Sequence, residues 1–288
     1  MRHRDKLRRA DLDLRDLDNE VANEPRSTQR FQFARHRRIL LIHGCNTNER
    51  DGQKRTAPLR EALVQRCPSL DAQVLTVTWP GDFAWSRGGL AAYKQMTKRA
   101  DQAGAKLWEV LDAEFDHALG APELVVVAHS LGCRLALQMI ARLAPSPHNT
   151  KIRKLVLILM GAAVATDRHD LFALARGHAE VVVLYSDRDR ALGHAFPLGQ
   201  VMAGEGASEA IGLHGNPREP AWASTKLMEG YDHEHYWPDV RTVDAVVESL
   251  TQFNDLAFRG DPAREHVLPV AGPGPEADEL PQHSLFAR

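Results

Sequence analysis

Three short stretches of this chain carry residue types that can do nucleophilic chemistry together. The first is LVVVAHSLGCRLALQ, from Leu124 to Gln138, where an apolar run ends at His129-Ser130 and a helical pattern of apolar residues follows at once. Small residues flank Ser130 two positions away on either side, Ala128 and Gly132. That is the small-x-Ser-x-Gly pattern of a nucleophile elbow, with Ala in the first place. The turn strains the serine backbone, and larger flanking residues would collide there. A helix starting at Leu131 would also aim its N-terminus at the hydroxyl, favouring negative charge. The rival explanation is a serine that only caps the helix, but a cap does not need small residues on both sides.

A serine hydroxyl is a weak nucleophile until a base takes its proton. Two candidate bases, His233 and His235, lie in YDHEHYW, residues 231–237. A free imidazole titrates near pH 6.5 and can accept that proton at neutral pH. Two candidate carboxylates lie in SDRDR, residues 186–190. Asp189 is the expected partner of the imidazole and Asp187 the reserve, with Asp167 and Asp170 as weaker alternatives. Together they give the chain order Ser…Asp…His. The oxyanion donors expected are the N–H of Leu131, just after the serine, and the N–H of Cys45 in the HGCN stretch, residues 43–46, where Gly44 lets the backbone approach closely. Cys45 as a nucleophile lacks an elbow. His233 and His235 also have a spacing that can bind a metal, but no third ligand cluster accompanies them, and no metal or cofactor is expected. His129 is read as lining the site, and His117, His169, His178 and His194 as surface or packing residues.

The elements that must position these groups follow from periodicity. Apolar, β-rich runs cover Arg38–His43, Val74–Trp79, Leu124–Ala128, Leu155–Met160 and Val181–Tyr185. Several are apolar throughout, as in parallel strands covered on both faces. Helical patterns fall between them: from Thr56, read as a cap with Pro58 in the first turn, to Arg66; from Leu90 to Leu119; from Leu131 to Leu143; and from Val243 to Phe253. The alternation predicts an α/β fold, a mostly parallel central sheet with helices on both faces. In such sheets ligands collect beyond the carboxyl ends of the strands. The candidate residues fall there.

With 43% hydrophobic residues in 288, the chain can bury a substantial core. A formal net charge of −2 gives no sign of a nucleic-acid binder or a polybasic membrane surface. Three scattered cysteines, Cys45, Cys67 and Cys133, form neither a disulfide framework nor a zinc spacing, which favours a reducing compartment. The basic N-terminus lacks the apolar stretch of a secretory signal, and the longest apolar run, Leu155 to Ala165, is shorter than the roughly 20 residues a spanning helix needs. No transmembrane segment and a cytoplasmic location are expected. Residues 1–35 read as a charged extension, either loose or a solvated helix through pairs such as Asp11/Arg15. Residues 36–260 read as the folded domain and 261–288 as a Pro-rich tail.

Taken together, the stretches resemble an α/β-hydrolase over roughly Arg38 to Phe258. HGCNTNERDG and TWPGD are similar to a less characterised branch with a His-Gly-x-Asn loop and a Ser/Thr-Trp-Pro segment. The resemblance implies Asp189, the aspartate before Ala-Leu in YSDRDRAL, as the acid, and His233, the first histidine of DHEHYW, as the base. It implies a serine hydrolase acting without a cofactor on a small-molecule acyl ester or related bond. A non-catalytic scaffold of the same fold, or an acyltransferase using the same three residues, are the alternatives. The Gly81–Gly89 loop, with Phe83 and Trp85, is read as a pocket wall or as surface packing, and Ala191–Gly230 as a lid or as surface packing. Oligomeric state is not readable from these residues.

Overall fold

The computed structural model describes residues 12–14, 37–45, 47, 49–66, 72–82, 91–115, 122–146, 152–215 and 223–248. The Phe83–Trp85 wall and the Pro-rich tail lie outside these residues. Seven strands form one sheet in the order β1-β3-β2-β4-β5-β6-β7. They are β1 Leu12–Asp13, β2 Arg37–Ile42, β3 Ala72–Thr78, β4 Glu123–His129, β5 Lys154–Met160, β6 Glu180–Tyr185 and β7 Ser224–Leu227. Every pairing is parallel.

The five strands expected from apolar runs are all present, within two residues of the predicted bounds. Two short edge strands were not foreseen. β1 lies in the charged N-terminal segment, where Leu12 and Leu14 are buried and the Leu14 amide bonds the Thr78 carbonyl at 2.8 Å. β7 falls inside Ala191–Gly230, so that segment is in part a sheet edge.

The helices are α1 Glu49–Arg66, α2 Ala91–Phe115, α3 Leu131–Leu143, α4 His169–His178, α5 Phe196–Ala203, α6 Ile211–His214 and α7, residues 240–248. A π-helical turn at Ala191–Ala195 leads into α5. Helix α1 begins before the expected cap. Thr56 is buried inside it, donating to the Gly52 carbonyl at 3.0 Å and meeting Thr76 of β3, so it joins helix to sheet. Pro58 also lies inside this helix.

Side chains alternate across the strands, and both faces are covered. Leu40, Ile42, Leu124, Val126, Ala128, Leu157, Leu159 and Val183 share one cluster with Met96 and Leu107 of α2, Leu135 and Met139 of α3, and Phe172 of α4. The intervening Ile39, Leu41, Val125, Val127, Ile158 and Leu184 are equally buried. Helix α1 contacts β2 and β3 and is tied to α7 by an Arg66–Asp244 ion pair.

The register aligns the carboxyl ends: Ile42 pairs with Ala128, His129 with Met160, and Met160 with Leu184. From β2 the chain goes to β3 on one side and then across to β4 on the other, so the loops after β2 and β4 diverge. Such a switch point opens a crevice. Helix α3, which starts directly after Ser130, is wedged against α2 at Gly104, where a methyl group would stand 2.5 Å from the Leu135 carbonyl and 2.7 Å from Gln138 Cβ.

A backbone carbonyl cannot yield as a flexible side chain can. Gly104→Ala is expected to lower the unfolding free energy by about 1–3 kcal/mol in urea titration. An unchanged midpoint would contradict this close packing.

Candidate active site

Ser130 has φ 55° and ψ −125°, and it is the single non-glycine residue with positive φ among the described residues. Its neighbours explain how the turn holds. The Ser130 amide bonds the Met160 carbonyl at 3.0 Å, and the Ser130 carbonyl accepts from Cys133 and Ala163, both at 3.1 Å. A methyl group at Gly132 would stand 2.5 Å from the His43 carbonyl, and one at Gly44 would stand 2.8 Å from Ser130 Cβ. Both glycines are demanded by close approach.

The structure brings Ser130, His233 and Asp189 into one hydrogen-bonded relay. Ser130 Oγ lies 2.8 Å from His233 Nε2, and His233 Nδ1 lies 2.7 Å from Asp189 Oδ2. With the imidazole neutral, Nδ1–H donates to the carboxylate and Nε2 accepts from the serine hydroxyl. Asp189 is buried, and its other oxygen accepts the Leu192 amide at 3.0 Å. Asp187 and His235 are exposed and stand outside the relay. His235 Nδ1 instead accepts the Asp232 amide at 2.9 Å, forming the local turn.

Two polar contacts staple the acid loop to the histidine loop. Ser186 Oγ donates to the Tyr231 carbonyl at 2.7 Å, and Asp232 accepts the amides of His233 at 2.8 Å and Arg190 at 3.3 Å. Short polar residues in two separate loops give no periodic signal, and the sequence reading missed them.

His129 does more than line the site. Its Nε2–H donates to the His233 carbonyl at 2.9 Å, and its ring packs 4.8 Å from that of His233 and 5.6 Å from Tyr236. Burial, with the neighbouring His233, holds its pKa well below the ordinary value, so the ring stays neutral. His43 is a second buried neutral imidazole. It donates through Nδ1 to the Gly44 carbonyl at 2.8 Å, while Trp79 stacks on it at 5.7 Å and donates its indole N–H to the His43 carbonyl at 2.8 Å. The His-Gly loop and the Thr-Trp-Pro segment thus hold each other. The Cys45 thiol is pushed up to about 11 by burial, which keeps it protonated rather than nucleophilic.

A family model described as "Alpha/beta hydrolase of unknown function (DUF900)" matches residues 20–206. The chain belongs to this family. No curated protein matches the sequence. Similar solved structures include a gene product from Listeria innocua, at 12% identity and a TM-score of 0.47, covering 76% of this chain and 95% of that one. A propionate-bound esterase from Thermogutta terrifontis matches at 13% identity and 0.44, covering 88% and 97%. An esterase from Pyrobaculum calidifontis matches at 16% and 0.42, covering 77% of each.

This α/β-hydrolase holds a cavity of about 290 Å³ beside Ser130. Tyr93, Ala163, Leu192 and Phe196 give it apolar walls, with Gly44 and Cys45 next to the serine and Thr47, Arg55 and Glu234 at a polar side. The first part of Ala191–Gly230 therefore lines the cavity. Leu131 opens α3, so its N–H precedes any intrahelical acceptor. Arg134, about one helical turn beyond Ser130, clamps α3 from outside through ion pairs to Asp101 at 2.7 Å and Glu205 at 2.6 Å. Among the described residues, no group of three or more His, Cys, Asp or Glu is arranged to hold a metal ion, and no helix is long and apolar enough to cross a membrane.

Burial lowers the His43 pKa to about 4 in the folded chain, against about 6.5 unfolded. The stabilisation it gives is complete above pH 6.5 and is lost as pH falls towards 4, at up to about 1.4 kcal/mol per pH unit. Urea unfolding between pH 7 and 4 is expected to show a shallower loss in His43→Gln than in the unaltered protein. Identical slopes would mean that His43 is not held neutral.

Proposed function

We propose that this chain is a serine hydrolase cleaving short-chain carboxylic esters, with Ser130 as nucleophile, His233 as general base and acid, and Asp189 orienting the imidazole. The observation that carries this reading is the unbroken relay from Ser130 Oγ through both nitrogens of His233 to a buried carboxylate. A structural serine would need no such chain of partners.

The geometry fits a two-step acyl transfer. As Ser130 Oγ bonds the substrate's carbonyl carbon, its proton passes to His233 Nε2. The carbonyl oxygen becomes an oxyanion and takes the N–H groups of Leu131 and Cys45. Asp189 balances the imidazolium through Nδ1. Collapse of the tetrahedral intermediate breaks the bond to the alcohol, which leaves with the proton from Nε2. Water then attacks the acyl-serine, again losing a proton to His233, and the carboxylic acid is released with Ser130 restored. The protein's donors are fixed before reaction, and losing one such donor costs about 10²–10³ in rate.

Cavity size supports a short acyl group. About 290 Å³ stands at the low end of small-molecule sites, which span roughly 300–1,000 Å³.

The purified protein is expected to hydrolyse p-nitrophenyl butyrate, and Ser130→Ala to abolish turnover. Retained activity in that variant would remove Ser130 from the mechanism. Gly44→Ala, which drives a methyl group against Ser130 Cβ, is expected to lower kcat by about 10² while circular dichroism still reports a folded protein. Unchanged kcat would show that the His-Gly loop does not bear on the nucleophile.

A further inference from the structure

One feature at the cavity is unused by the ester chemistry. Arg55 of α1 and Glu234, the residue after His233, both line the cavity and form an ion pair with each other. The two side chains come from distant parts of the chain and meet beside the reacting atoms. The Arg55 charge lies close enough to bear on His43, Cys45 and His129.

The reaction geometry says which part of a substrate would meet this pair. The alcohol oxygen of an ester leaves with a proton from His233 Nε2, so the alcohol portion lies on the His233 side, beside Glu234. The acyl group goes the other way, against Tyr93, Ala163, Leu192 and Phe196. Apolar surface receives one half of the substrate and a cation stands at the other.

Resting on the hydrolase reading above, we propose that Arg55 receives an anionic group, a carboxylate or a phosphate, on the alcohol portion of the ester, and that Glu234 occupies that place until substrate displaces it. The exchange is favourable for two reasons. Arg55 is 36% and Glu234 65% exposed, and ion pairs so open to water contribute little to stability. A guanidinium presents a planar fork that binds carboxylate or phosphate through two parallel hydrogen bonds, and the cavity wall shields such a contact from water better than the surface does. Glu234 then swings to solvent, uncovering the cavity. Until substrate arrives, the pair covers the site and prevents an unpaired arginine from facing apolar walls.

The test uses Ser130→Ala protein, which binds esters without consuming them, and a matched series: the primary butyrate esters of glycerol, glyceric acid and glycerol 3-phosphate. Calorimetric titration is expected to give Kd values at least about tenfold lower for one or both anionic esters than for the neutral one, and the tighter of the two identifies the anion. Adding Arg55→Gln is expected to remove that preference, Arg55→Lys to keep part of it, and Glu234→Gln to widen it by freeing Arg55. Equal binding of all three esters, or a preference that survives Arg55→Gln, would overturn the proposal. So would tighter binding of butyrylcholine, which would make Glu234 the receptor instead. Should Arg55→Gln not fold, Glu234→Gln still decides the matter, since an unwidened preference contradicts displacement. Turnover by the unaltered protein is measured separately. A protein that prefers the anionic esters but cleaves none refutes the hydrolase reading, whereas one that cleaves all three without preference refutes only the role of Arg55.

Discussion

The backbone at Ser130 is the constraint on which the other parts depend. A residue with a side chain at φ 55° and ψ −125° is strained by about 1–3 kcal/mol, and it persists only where its surroundings leave no alternative. Those surroundings are the sheet itself. Strand β4 is buried along its whole length between β2 and β5, so its end point is fixed. Helix α3 starts one residue after Ser130 and must pack on α2, with no room at Gly104 and Gly132 for any shift. The strain is local, while the packing that enforces it spans the core.

Given that fixed hydroxyl, the other groups must come to it, and they do so on loops. Loops are precise only when their polar groups are tied down. Here the ties are specific. His43 and Trp79 lock the loop after β2, Ser186 and Asp232 join the acid loop to the histidine loop, and His129 grips the carbonyl of His233. Both His43 and His129 are neutral through burial. A charged imidazole at His129 would place a cation 4.8 Å from the His233 ring. Two buried rings thus hold these loops in place without carrying charge.

The architecture was readable from sequence because long apolar runs are unambiguous. Five strands and the α2 and α3 helices follow from them, and the family match agrees with the α/β-hydrolase fold. The two edge strands were not readable: Leu12–Asp13 is two residues long inside a charged segment, and Ser224–Leu227 is mostly exposed, so neither carries an apolar pattern. Helix α1 begins in the charged stretch ERDGQKR, which carries no apolar period, and Gly52 there packs against the His43 ring. Thr56 reads as a cap because Pro58, two residues on, suits the first turn of a helix; its burial against Thr76 is a tertiary fact. The doubled pairs were harder. Residue type alone left His233 and His235 in competition, and the structure sets them apart because one faces the crevice and the other closes a turn.

The central claim is that Ser130 is activated by His233. It is tested most directly by incubating the folded protein with a fluorophosphonate and locating the adduct by peptide mass spectrometry. The account predicts one adduct, on Ser130, formed rapidly in the unaltered protein, slowed at least about 10²-fold in His233→Ala and absent after unfolding in urea. No adduct on Ser130 in the folded protein, or equal labelling rates with and without His233, would contradict it.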